Sequence, residues 1–300
     1  MLEKNENIYL SNAREHIRVR IDNKFYLEGP IGTTVGDFLH ASYHVAQYDA
    51  PIIASICNHE LRELSYEIHA DSDLSPVLLS SSDGGRIYRR SLVMLMTTAA
   101  AELWENCHID VRYAVPDGGF YCTRVDNQPF TDDELAQLDA HMRDIIAADS
   151  PTTKRTVSIE EAITVFDKRG EQGKVRLLKH SGRSNLVLYT LRDRDDYFYG
   201  YMLPSTGGIN RFKLINMGDG FILQYPRKEQ TDTLRPLRAY EKLRQVFNQT
   251  DDWLRKMRVE DIGRLNSIIE HDHHIHELIL VAEALHEQNV ATIARQIAEQ

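Results

Sequence analysis

Residues 200–214 read GYMLPSTGGINRFKL. Pro204, Ser205, Thr206, Gly207 and Gly208 crowd turn-forming residues into one place, and Phe212, Leu214 and Ile215 open an apolar run behind them. On composition this is a loop running into a strand. Just downstream, Met217-Gly218-Asp219-Gly220 makes another turn, and Phe221, Ile222 and Leu223 make a closing strand. Upstream, VRLL (175–178), NLVLYTL (185–191) and DYFYGY (196–201) read as strands, with Gly170, Gly173 and Gly182 at the turns.

Further out the pattern becomes helical. Over 87–104, Ser91, Leu92, Leu95, Met96, Ala99, Ala100, Leu103 and Trp104 recur at helical spacing with no internal Gly or Pro. A second helix is expected over 132–148, burying Leu135, Leu138, Met142, Ile145 and Ile146, with Thr131 and Glu134 as a reciprocal N-terminal cap. Ser158 and Glu161 have the same spacing.

The N-terminal part is of a different kind. Ile17, Val19 and Ile21 alternate with Arg18, Arg20 and Asp22, as in a half-buried strand, and Asn23-Lys24 turns the chain into Phe25-Tyr26-Leu27. Thr33 or Thr34 caps a short helix facing inward with Val35, Phe38 and Leu39. Residues 51–56 and 77–79 supply further strands, with Cys57-Asn58-His59-Glu60 as a turn. Strand, strand, helix and short strands make a β-grasp order.

Bulk composition narrows the function classes. At 300 residues and 42% hydrophobic content the chain can form two or three packed domains. No apolar run nears the roughly 18 residues of a membrane span, and the opening MLEKNENIYL lacks a signal-peptide core. Cys57, Cys107 and Cys122 are widely spaced and odd in number, which fits a reducing cytoplasm rather than disulfides or zinc. A net charge of −10 argues against extensive nucleic-acid wrapping. Lys168, Arg169, Lys174, Arg176, Lys179 and Arg183 nevertheless form a local basic run, read as a solvated loop face or as contacts for an anion or RNA.

Several motifs, in order, resemble the editing domain of threonyl-tRNA synthetases. They are Asp117-Gly118-Gly119-Phe120-Tyr121, Pro129-Phe130-Thr131 with Glu134-Leu135, the helix start at Val157-Ser158-Ile159, and the Pro204-Ser205-Thr206 turn. In that family a His-Ser-x-x-His helix and a Cys-x-Gly-Pro-His run line the pocket. Here the first register reads Arg90-Ser91-Leu92-Val93-Met94, while Phe198 and Met202 stand where the Cys and the second-run His would be. The resemblance implies an editing scaffold whose hydrolytic groups are gone, since neither arginine nor methionine is a general base at neutral pH. Gly32-Thr33-Thr34 and Asn58-x-Glu60-Leu61-x-x-Leu64 resemble the TGS domain that fronts these synthetases. Such a domain implies ligand or partner binding, not catalysis.

The C-terminal arm is expected to be helical. One helix starts at Arg235-Pro236-Leu237 with Leu237, Tyr240, Leu243 and Phe247 on one side, and Trp253, Leu254 and Met257 follow a break near Thr250. Residues 259–266 connect to further helices over 277–285 and 290–297. The stretch LILVAEALHE (278–287) resembles the connector of a bacterial family that joins TGS and editing-like domains to a uridine kinase-like P-loop domain. That resemblance implies a kinase domain absent from this chain, which contains no G-x-x-x-x-G-K-[ST]. His271, His273, His274 and His276 are weak, adventitious metal candidates, and no metal site is expected.

The fold class expected is α+β: a tail (1–14), a TGS β-grasp domain (15–83), an editing-like domain (84–227) and a helical connector (228–300). The expected role is a non-catalytic regulatory or binding region of a uridine kinase-like ATP-dependent phosphotransferase. The alternative is a stand-alone tRNA- or RNA-binding module. No cofactor is expected in this chain; ATP and Mg belong to the missing domain. Expected partners are that kinase domain and a small-molecule regulator or RNA, with no membrane and a cytoplasmic location.

Overall fold

The structure, a computed structural model, describes residues 12–105, 107–238, 241–272 and 275–299. It is mixed α and β with several sheets, an α+β fold. By contacts the chain divides into two compact units. The first holds residues up to Thr153 plus 191–194 and 198–236; the second holds 154–190, 195–197 and 237 onward.

The first unit opens with β1 (His16–Ile21), β2 (Phe25–Pro30), α1 (Val35–Ser42), β3 (Ile52–Cys57), β4 (Glu60–Arg62) and β5 (Ser72–Leu78). The sheet order is β2-β1-β5-β3-β4, with β1 and β5 parallel, a β-grasp arrangement. Both hairpin turns use left-handed residues, Asp22 and Asn23 in one and Asn58 and His59 in the other. Thr34, not Thr33, caps α1, forming a reciprocal box with Asp37. Val35, Phe38 and Leu39 then bury against Ile17, Val19, Ile21 and Leu74. Each such side chain stabilises the fold by about 1.5–3 kcal/mol.

Next come α2 (Ser82–Leu103), β6 (Ile109–Val115), β7 (Gly119–Arg124) and α3 (Asp132–Ala147). Helix α2 starts five residues before the expected point, where Ser81 caps it through the Gly84 amide. Gly84 fits there because any side chain would strike the Leu78 carbonyl. Helix α3 has the expected Thr131–Glu134 box, but Ile146 is only half-buried.

The second unit takes α4 (Ile159–Lys168), α5 (Gln172–Lys179) and most of β8 (Thr152–Ser158), β9 (Asn185–Leu191) and β10 (Arg194–Asp196), the strands pairing in the order β10-β9-β8. The strand expected at 175–178 is instead part of α5. Val175 and Leu178, three residues apart, bury together, while Lys174, Arg176 and Lys179 stay at the surface. At Ser158 only half of the expected box forms: Ser158 caps the Glu161 amide, and the Glu161 carboxylate pairs with Arg155.

Chain segment 198–236 returns to the first unit through a 3-10 turn (Thr206–Gly208), β11 (Lys213–Asn216) and β12 (Phe221–Gln224). These strands complete an antiparallel sheet, β11-β12-β7-β6. The strand expected over 196–201 stops at Asp196. Tyr199 is exposed, Gly200 has φ of 123°, and the carbonyls of Tyr199 and Tyr201 accept from a side chain, not from a neighbouring strand.

The arm is α6 (Glu241–Met257), α7 (Ile262–Ser267), a π-helical turn (Ile268–Asp272) and α8 (Ile275–Ala298). Helix α6 does not start at Arg235-Pro236-Leu237, which is irregular; Tyr240 lies outside the described residues. It has no break at Thr250, whose hydroxyl donates to the Val246 carbonyl within the same helix. The connector at 259–266 contains α7, capped by Asp261. The two helices expected over 277–285 and 290–297 are one, since nothing between them breaks a helix. Among the described residues, no helix is long and apolar enough to cross a membrane.

Candidate functional site

Of the four positions singled out, Arg90 on α2 reaches the loop after β10 that carries Phe198 and Met202. Arg90 Nη1 donates to the Tyr199 carbonyl at 2.8 Å, and its Nε donates to the Tyr201 carbonyl at 3.0 Å. One residue on, Ser91 Oγ accepts from the Leu203 amide at 2.8 Å and donates to the Ile87 carbonyl at 3.0 Å. These bonds flank Met202 and begin one residue after Phe198. Met94, one turn along α2, and Met202 are buried, and Phe198 is half-buried. The Arg90 guanidinium lies over Gly200, so close that a side chain there would overlap it.

Glu63, which sequence reasoning passed over, supports the same loop. Its buried carboxylate accepts from the Met202 amide at 3.2 Å. The stretch Leu61-Arg62-Glu63-Leu64 carries no signal that this acid faces inward. Arg62 next to it is held above the usual guanidinium range, first by a hydrogen bond with Tyr201.

The Pro204-Ser205-Thr206 turn is a structural clasp. Thr206 Oγ1 accepts from the Ser150 amide at 2.9 Å and donates to the Ile145 carbonyl at 2.8 Å, tying the loop to the end of α3. Asp149 accepts from the Gly207 amide at 2.7 Å. On the other side, Tyr88 OH donates to the Arg211 carbonyl at 2.8 Å and accepts from its amide at 3.0 Å. Burial pushes the Tyr88 phenol up to about 12, so it stays protonated.

The bonds described here all hold backbone. Arg90 keeps its charge, and Met94, Met202 and Phe198 carry no titratable group. The cysteines offer no substitute nucleophile. All three are buried, and burial pushes each thiol up, Cys122 furthest.

In the second unit the basic run is largely occupied. Arg169 pairs with Glu171 at 3.0 Å and donates to the Asp195 carbonyl. Lys174 bridges Glu171 at 2.7 Å and Asp196 at 2.6 Å, and Arg176 pairs with Asp261 at 2.5 Å. Lys168, Lys179 and Arg183 remain exposed. Helices, not a loop, carry most of this run.

A contact invisible in the sequence lies nearby. His180 Nδ1 is 2.7 Å from Glu270 Oε2, and its Nε2 is 3.0 Å from Ser267 Oγ. The order resembles a nucleophile–base–acid row. The Ser267 hydroxyl, however, bonds at 3.0 Å to the Gly263 carbonyl one turn back in its helix. Its geometry is that of a brace between α5 and α7. Of the histidine run, His273, His274 and the His271 side chain lie outside the described residues; His276 is in the first turn of α8. Among the described residues, no three His, Cys, Asp or Glu side chains gather in a metal-binding group.

No family model matches the chain. Curated proteins do. The threonine–tRNA ligase of Aquifex aeolicus is 29% identical over 210 residues, covering 69% of this chain and 32% of its own length. That of Pelobacter propionicus is 30% identical over 190 residues, covering 63% and 29%. That of Marinobacter nauticus is 29% identical over 170 residues, covering 56% and 26%. The chain carries a threonyl-tRNA synthetase-like region. It spans about a third or less of the length of these curated relatives, so the likeness concerns the synthetase-like region alone.

Proposed function

We propose that the synthetase-like region is a non-catalytic binding module, built from a TGS domain and an editing domain whose pocket has become a structural joint. Arg90, Met94, Phe198 and Met202 occupy the former editing positions. The observation that carries this reading is the pair of bonds from Arg90 to the Tyr199 and Tyr201 carbonyls, at a place where hydrolysis needs a base. Deacylation of seryl-tRNA by the purified chain tests it. The expected rate equals that of buffer; a protein-dependent rate overturns the reading.

In this reading the module is the accessory region of a cytoplasmic uridine kinase-like phosphotransferase. ATP and Mg would be held by the domain that moves the phosphate; this chain has no phosphate-binding loop for them. Supporting it is α8, along which Leu280, Val290 and Ile297 stay more than half exposed, as on a helix that another domain covers. A parent gene with no G-x-x-x-x-G-K-[ST] downstream of Gln300 overturns this part alone.

The second reading is an RNA-binding module acting through Lys168, Lys179 and Arg183, the exposed members of the basic run. It requires tRNA affinity that falls steeply with salt.

A further inference from the structure

A basic cleft lies in the first unit, between the first turns of α2 and the segment after β12. It encloses about 210 Å³ and is bounded by Ser81, Arg86, Arg89, Tyr225, Arg227 and Lys228. Four cations on one cleft stand out in a chain of net charge −10.

Two of the arginines are fixed by the fold. Arg89 Nε donates to the Gly85 carbonyl at 3.0 Å, and its guanidinium lies 5.3 Å from the centre of the Tyr225 ring. That ring is itself buried against Phe120. The Arg227 stem lies along Gly118, at φ 94°, where an added Cβ would come within 2.9 Å of its Cγ and Cδ. Backbone bonds pin both sides of it: the Tyr225 amide donates to the Gly118 carbonyl at 3.1 Å, and the Gln230 amide to the Arg227 carbonyl at 2.9 Å.

The acids nearby only partly balance this charge. Asp83 pairs with Arg86 at 3.1 Å, and Glu229 lies 3.4 Å from both Arg227 Nε and Arg235 Nη2. Among the described residues, no carboxylate pairs with Arg89 or Lys228. Cations that line one cleft favour the arrival of an anion. A guanidinium presents paired N–H donors at the spacing of phosphate oxygens, and pre-positioned forks lose little freedom on binding.

The cleft's other walls limit what it holds. Ser81 Oγ is already engaged, donating to the Leu78 carbonyl and accepting from the Gly84 amide. Tyr225 is buried, so no ring is offered for a base to stack on. The volume is below the roughly 300–1,000 Å³ that encloses a whole small-molecule ligand. We propose that this cleft binds the terminal phosphate of a phosphorylated ligand, the rest of which stays outside. This goes beyond the non-catalytic reading and stands if that reading fails.

The test titrates pyrophosphate into the 300-residue chain at low salt, reading heat and Tm. Binding should raise Tm with concentration. Arg227→Gln should weaken it about 10-fold, and exposed Lys228→Gln about 3-fold, as expected for lost charge-assisted bonds. Lys168→Gln, in the other unit, should leave it unchanged. To separate sources, a 5′-phosphorylated RNA oligonucleotide and its dephosphorylated form compete against pyrophosphate; only the first should displace it. No Tm rise, no effect of Lys228→Gln, an equal effect of Lys168→Gln, or equal competition by both oligonucleotides overturns the proposal.

Discussion

The guanidinium of Arg90 donates to the carbonyl of Tyr199 at 2.8 Å, where a strand was expected and none forms. With its second bond, to Tyr201, this one side chain supplies the partners that a neighbouring strand would have given. The loop's path therefore depends on a long-range contact rather than on its own β propensity.

Arg90→Ala should destabilise the first unit by about 1–3 kcal/mol, since two carbonyls lose a charged donor. Urea midpoints measure this. A midpoint equal to wild type would show that the joint does not hold the loop.

Gly200→Ala should be as damaging for a different reason. Its φ of 123° excludes a side chain, and the Arg90 guanidinium fills the space. About 1–3 kcal/mol of backbone strain is expected, seen as a lower Tm. The double variant with Arg90→Ala should recover the part due to overlap but not the part due to φ.

Thr206→Val keeps the shape and removes the hydroxyl that serves the Ser150 amide and the Ile145 carbonyl. About 1–3 kcal/mol is expected for the buried Ser150 amide left without this partner, while the Ile145 carbonyl keeps the Ser150 hydroxyl. Hydrogen exchange should quicken at the Ser150 amide before the centre of α3 responds.

The Glu134 cap gives a pH dependence with a definite sign. The Thr131 backbone amide, followed by the Thr131 hydroxyl and Arg124, holds this carboxyl below its usual 4.5 against the opposing effect of desolvation. A depressed carboxyl stabilises the fold above its unfolded pKa, and that stability is lost as pH falls through the folded value. Melting of wild type and Glu134→Gln should differ at pH 7 and converge as pH drops below about 4. A gap that widens on acidification would contradict the assignment.

Asp261 serves two partners, capping α7 through the Arg264 amide and pairing with Arg176 of α5. Burial works against its ionised form, but these bonds outweigh it and hold its pKa low. Asp261→Asn should keep the cap and cost less than Asp261→Ala, which loses both; about 1 kcal/mol should separate them. Equal melting would show that the cap contributes nothing.

Local patterns read well from the sequence. The reciprocal cap at Thr131, a threonine cap on α1 (left open between Thr33 and Thr34), the helices α2 and α3 and the closing strand at Phe221 each depend on residues a few positions apart. The misses share a cause in distant contacts or ambiguous period. Val175 to Leu178 is too short for its apolar pair to decide between strand and helix, and burial within the second unit decided it. Residues 197–201 have strong β propensity, but Arg90, over a hundred positions away, takes their carbonyls. At the candidate site the absence of a titratable group at positions 94, 198 and 202 was legible, because it needs only residue identities. The inward turn of Glu63 and the His180–Glu270 contact were not, since both depend on side chains that fold into place across long separations.

The Thr206 clasp separates ancestry from activity. A hydroxyl that closes the end of α3 serves folding, whether or not a substrate ever enters. A Pro-Ser-Thr turn of this kind therefore reports how the chain folds rather than what it catalyses, as a keystone says nothing of the use of a building. A sequence recognised by this turn alone is matched for its scaffold, and what stands at positions 90, 94, 198 and 202 has to be read separately.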